Sequence, residues 1–240
     1  MDVILSRVAI GGVVLALLLS PAGSRAASLT NIESTCPDAA REAAEMRART
    51  NVPHEHGTPA RPALRADLLL MAAQDQDARA FLSASNGVFD PQGPEAAWMR
   101  YVDSANLKRL KHIVHQDGFP TARMVGLDGV HAAWLLAVHA GRDPDFQEKI
   151  LALTKAHLRR GEVRSDQVAM LTDDLLAGRG KPQRYGTNFE FRDGELRPAP
   201  MEDEANVDKR RSAVGLGSLA NYTCVIRAAY GSRGPVTPSP

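Results

Sequence analysis

Hydrophobic positions recur along most of this chain with the period of a helix, and the densest run lies near its middle. From Met124 to Gln147 the sequence reads as a glycine turn, a nearly all-apolar segment and an Asp143-Pro144 start to a further helix. At about 100° per residue, His131, Leu135, Val138 and His139 fall within about a third of the helix circumference. Both imidazoles therefore share a stripe with aliphatic side chains and are expected to face inward.

The flanking segments carry the same period. Leu64, Leu68, Met71 and Ala72 predict a helix over 63–85, and Trp98, Val102, Ala105 and Leu110 predict another over 95–116. Phe146, Ile150, Leu153, Ala156 and Leu158 trace an amphipathic face that stops at Gly161. Ser165 is read as the cap of the next helix, which ends at Gly178. Near the start, Pro37 and Asp38 open a helix running to about Arg49. Toward the end, one helix carries Lys209, Arg210 and Arg211, and a last one, capped by Ser218, carries Tyr222 and Cys224.

Only 183–197 breaks the pattern. Polar and apolar residues alternate there around Asp193-Gly194, a favoured pair for a two-residue hairpin turn. The expected fold is mainly α: a single-domain helical bundle with one small β-hairpin lying over the central helix. Its parts are a signal peptide at 1–26, an N-terminal helix and proline-rich linker at 27–62, the helical domain at 63–230 and a disordered tail at 231–240.

Composition narrows the function classes. The 240 residues are 44% hydrophobic with a net charge of +1, which excludes compositional disorder and a charge-driven nucleic-acid binder. Arg7 precedes an apolar run from Val8 to Leu19, and Ser24 and Ala26 follow with the spacing of a processing site. The run is short for a bilayer core of about 30 Å. A secretory signal is therefore expected, giving a periplasmic or secreted chain with no stable membrane insertion after cleavage. Export would let Cys36 and Cys224 form a disulfide, although two unpaired small hydrophobes fit the sequence equally well.

The motifs Asp75-Gln76-x-x-Arg79, Asn106-Leu107, Gly118-Phe119-Pro120, Val125-Gly126-x-x-Gly129, Ala133-Trp134-Leu135-Leu136, His139-Ala140, Phe146-Gln147, Leu171-Thr172-Asp173, Tyr185-Gly186-Thr187 and Arg210-Arg211 occur in a fixed order. Together they resemble a bacterial family known only as a domain of unknown function, over about Ala63 to Tyr222. The resemblance implies no established activity. This chain departs from it at Val138, Gly141, Asp174 and Asn188, where members usually carry Gln, an acid, Arg and Gln, and members commonly lack an export signal.

The chemistry on offer is proton transfer. His139 has the side chain suited to general acid/base work near neutrality, and a buried carboxylate, Asp75 or Asp173, would orient it. Tyr185 joins His139 and Asp75 as a catalytic candidate. Thr187, Gln147 and Asp173 are candidates to position a polar ligand, and Arg79, Arg210 and Arg211 to hold a carboxylate or phosphate by forked hydrogen bonds. The expected ligand is small and anionic or amide-bearing, and the reaction a hydrolysis. His131 and His139 are eight apart, a rise of about 12 Å, too far to share one ion, and His54-Glu55-His56 lacks a further ligand. No motif implies a metal or cofactor, and no nucleophile or phosphate-cradling signature occurs. The same residues would also serve as a buried network fixing helix register in a non-catalytic envelope interaction protein, an inhibitor or accessory subunit. That alternative expects an exposed apolar or charged patch.

Overall fold

The computed structural model describes residues 33–50, 57–84, 92–192 and 195–230. The expected signal peptide, His54-Glu55-His56, the expected turn at Asp193-Gly194 and the expected tail lie outside the described residues. The helices are α1 (Pro37–Thr50), α2 (Pro62–Ala84), α3 (Pro94–Asp117), α4 (Ala122–Val138), α5 (Pro144–Arg159), α6 (Ser165–Gly178), α7 (Val207–Ala213) and α8 (Leu219–Tyr230). Strands β1 (Phe189–Arg192) and β2 (Glu195–Pro198) pair antiparallel between α6 and α7, with Phe189 opposite Pro198. Among the described residues no helix is long and apolar enough to cross a membrane.

Helix α4 is the centre of the molecule because it has no face fit for water. From Val130 to Val138 every residue but His131 is buried, and α2, α3, α5 and α6 pack around it. Two features fix its course. Gly126 breaks the helical path at φ 74°, where a Cβ would stand 2.7 Å from Asp128 Oδ1, so the close turn requires glycine. Further along, the Trp134 indole donates to the Gln167 carbonyl at 3.0 Å and ties α4 to the start of α6. The helix beyond α4 begins as the sequence implies, with the Asp143 side chain accepting from the Phe146 amide ahead of Pro144. Ser165 is instead the first residue of α6; Arg164 precedes it, its amide held by the Gln167 side chain at 2.9 Å.

The hairpin sits against α8, a different partner from the one its sequence position implied. Arg227 Nε donates to the Leu196 carbonyl at 3.0 Å, and the Phe189 and Tyr222 rings meet edge to face at 5.7 Å. Helix α1 is fastened to α8 at two points. Cys36 and Cys224 form a disulfide. Six residues on, the Glu42 carboxylate accepts from the Ser218 amide at 3.0 Å and from Asn221 Nδ2 at 2.9 Å, capping α8 from outside.

Candidate functional site

The apolar face of α2 turns polar halfway along its length. Leu68, Met71 and Ala72 belong to the core, and one turn further the same face presents Asp75, then Arg79. Opposite stands His139, the first residue past the helical part of α4, with φ −80° and ψ 2°. Its Nδ1 lies 2.8 Å from Asp75 Oδ2 and 2.9 Å from Oδ1, and both side chains are closed off from solvent, at 3% and 1% exposure. An ionised carboxylate only accepts, so Nδ1 carries the proton and donates.

Two further donors converge on the same carboxylate. Gln76 Nε2 donates to Oδ2 at 2.7 Å and Arg79 Nη1 to Oδ1 at 2.8 Å. Burial by itself would raise the Asp75 carboxyl, but His139, Arg79 and Gln76 outweigh it and hold the group below the usual carboxylate range. Arg79 is shared: its Nη2 donates to Asp103 Oδ1 on α3 at 3.0 Å. The guanidinium is thus engaged by two carboxylates and ties α2 to α3, while the His139–Asp75 bond adds the end of α4. Gln147 on α5 reaches the end of α4, donating from Nε2 to the carbonyls of Ala137 at 3.1 Å and Val138 at 2.9 Å. It gives the Val138 carbonyl a donor and the Ala137 carbonyl a second one beside the Ala140 amide, and so supports the backbone that carries His139.

The other candidate residues assemble elsewhere, around the 184–187 loop. Asp173 on α6 accepts from the amides of Arg184 at 2.7 Å, Tyr185 at 3.0 Å and Thr187 at 3.0 Å, and from the Thr187 hydroxyl at 2.9 Å. Burial pushes its carboxyl up against the pull of those bonds. Arg211 donates to the carbonyls of Gly217 at 2.5 Å and Tyr185 at 2.7 Å and lies 4.9 Å from the Tyr222 ring centre. Arg210 donates to the carbonyls of Arg184 at 2.8 Å, Glu202 at 2.6 Å and Asp203 at 2.9 Å. The expected set therefore divides. His139, Asp75 and Arg79 are joined by hydrogen bonds with Gln147 beside them, whereas Asp173, Tyr185, Thr187, Arg210 and Arg211 hold a loop in shape through its own backbone.

Three residues in or near these groups were not among the site candidates read from the sequence, although Asp174 was noted as a departure from the family pattern. Asp103 lies three before Asn106 and seven before Leu110, on the buried side of α3, and that spacing was a usable signal. Asp174 is fully enclosed beside Asn188 with neither carboxyl oxygen hydrogen-bonded, and burial, with Asp173 adjacent, pushes it up to about 8. Glu42 reads from the sequence only as an acid near the start of its own helix, and nothing local says that it caps α8 instead. His131 has a separate role: its Nδ1 accepts from Gln167 Nε2 at 2.9 Å and its ring stacks on Trp134. Among the described residues no group of three His, Cys, Asp or Glu is placed to hold a metal ion.

Residues 62–234 match DUF6624, a family of unknown function. The chain belongs to this family. No curated protein and no solved structure matches it. The DUF6624 region begins with α2 and contains both polar groups, while α1 lies before it. The Cys36–Cys224 disulfide thus joins a helix outside the DUF6624 region to the last helix inside it.

Proposed function

We propose that this DUF6624 protein is a hydrolase of a small anionic or amide-bearing ligand, with His139 as general acid/base in a polar pocket at the end of α4. One observation carries the reading. Nδ1 of His139 is committed to Asp75, which fixes ring and tautomer, and Nε2 is left with a lone pair and no hydrogen-bond partner. A buried nitrogen without a partner costs free energy, and a bound water or ligand group would recover it. In the reaction Nε2 takes a proton from water as the water oxygen bonds to the acyl carbon. The same proton then passes to the leaving group as its bond to that carbon breaks. Asp75 steadies the imidazolium formed in between, and Arg79 and Gln76 hold Asp75.

The disulfide supports an exported protein working in an oxidising compartment, periplasmic or extracellular. The activity is tested on the full chain with 4-nitrophenyl acetate and an N-acetylglycine 4-nitroanilide. His139→Gln is expected to lower turnover at least about 100-fold, the low end for loss of a general base. An unchanged rate in that variant overturns the reading.

A second reading, a non-catalytic interaction protein of the envelope, is favoured by Trp98 and Tyr101. They stack at 5.5 Å on the outer side of α3 while 49% and 65% exposed, so Trp98 does not join the buried side that its spacing with Val102 and Leu110 implied. It takes over if neither nitrophenyl compound is cleaved and Trp98→Ser abolishes self-association or partner binding in sedimentation.

A further inference from the structure

The polar atoms left without partners around His139 are of one kind. Gln76 Oε1 and Gln147 Oε1 are buried carbonyl oxygens with no donor, and His139 Nε2 is a buried lone pair with none. All three accept. Their amide orientations are forced by their neighbours: Gln76 Nε2 faces the Asp75 carboxylate and Gln147 Nε2 faces two carbonyls. Turning either amide over would set oxygen against oxygen.

The side chains that carry these acceptors are each bonded to the Asp75–His139 junction or to the backbone that leads into it. Gln76 and His139 bond the same oxygen of Asp75, and Gln147 bonds the carbonyl of the residue just before His139. The donor atoms there point mainly inward, Gln76 Nε2 and Arg79 Nη1 to Asp75, Arg79 Nη2 to Asp103 and Gln147 Nε2 to backbone. Asp75, Asp103 and Arg79 together carry a formal charge of −1, so an entering anion would meet like charge as well as acceptors. We infer, building on the reading of His139 as acid/base, that the ligand is a small primary carboxamide and not a carboxylate or phosphate. Its NH2 group supplies hydrogens of the kind these acceptors lack. Hydrolysis of such a ligand adds water across the C–N bond and releases a carboxylate and ammonia.

The test uses the full chain with its imidazoles 15N-labelled, and compares acetamide, acetate and inorganic phosphate at equal concentration. Acetamide is expected to shift the His139 Nε2 resonance and raise the melting temperature, with acetate and phosphate doing neither. In Gln76→Met the acetamide response should weaken at least tenfold; the wild-type comparison stands alone if that variant does not fold. Acetate or phosphate acting in place of acetamide overturns the carboxamide assignment but leaves His139 as the base of an anion hydrolase. No response to any probe also overturns it. The nitrophenyl assay with His139→Gln judges the underlying reading separately.

Discussion

Nδ1 of His139 and Oδ2 of Asp75 meet at 2.8 Å across 64 residues of sequence, and this bond joins the end of the central helix to the middle of α2. Asp75→Ala removes the shared acceptor and leaves Arg79, His139 and Gln76 without it. Breaking a buried charged group by removing one partner costs about 3–5 kcal/mol. Urea unfolding at neutral pH should show a loss of that size, and Asp75→Asn a smaller one. Because the Asp75 carboxyl is depressed in the folded chain, its contribution is complete above its unfolded value and disappears as pH falls through the lower folded one. The acid limb of wild-type stability should therefore be shallower in Asp75→Asn. An identical limb in both proteins contradicts the assignment.

His131 sets a second pH dependence. Burial lowers its imidazole from 6.5 to about 4, consistent with an Nδ1 that accepts from Gln167 and a ring enclosed against Trp134. Between those values the unfolded chain binds the proton and the folded chain does not, so stability falls as pH drops from 6.5 toward 4. The full difference is about 3 kcal/mol at 1.36 kcal/mol per unit. His131→Gln cannot take up the proton and should remove most of that slope. Unfolding midpoints of the two proteins at pH 7 and pH 4.5 measure it, and parallel losses would show that His131 is not the source.

Asp174 runs the other way. Its carboxyl is raised from 3.8 to about 8, so the unfolded chain ionises first and stability declines as pH rises between those values. At pH 7 the handicap is up to about 4 kcal/mol. Asp174→Asn keeps the shape and never ionises, and should stabilise the protein at pH 7.5 while giving little at pH 4. An equal shift at both would mean that packing, not charge, accounts for the change.

What the sequence made legible follows from the range of the forces involved. Pro144, Gly161 and Gly178 mark helix limits because caps and breakers act within one turn, and the α-helical class with its single hairpin follows from short periods. The partner of His139 was narrowed to Asp75 or Asp173 but no further. Choosing between them requires the crossing of α2 and α4, which no local pattern encodes. Arg210 and Arg211 looked like a pair able to grip one anion. Adjacent helical residues point about 100° apart, however, and these two reach different carbonyls, Arg210 those of Arg184, Glu202 and Asp203, Arg211 those of Tyr185 and Gly217. For Glu42 a local pattern offers only a place near the start of its own helix, since its partners lie 176 and 179 residues away.

Helix α1 makes its contacts with α8, and its two fastenings should fail differently. Opening the Cys36–Cys224 disulfide releases a constraint spanning 188 residues, which loop-closure entropy puts at about 5 kcal/mol before strain is subtracted. That effect acts on the unfolded chain and leaves native contacts in place. Glu42→Ala acts on the folded chain: the Ser218 amide and Asn221 lose their acceptor, and the loss of such a cap is worth about 0.5–2 kcal/mol. Hydrogen exchange separates the two. In Cys36→Ser the global stability should fall while the Ser218 amide stays protected by Glu42. In Glu42→Ala, with the disulfide closed, that amide should exchange faster while global stability falls by no more than the cap is worth, about 0.5–2 kcal/mol. If Cys36→Ser alone exposes Ser218 at native conditions, Glu42 is not an independent fastening, and the disulfide holds α1 in place.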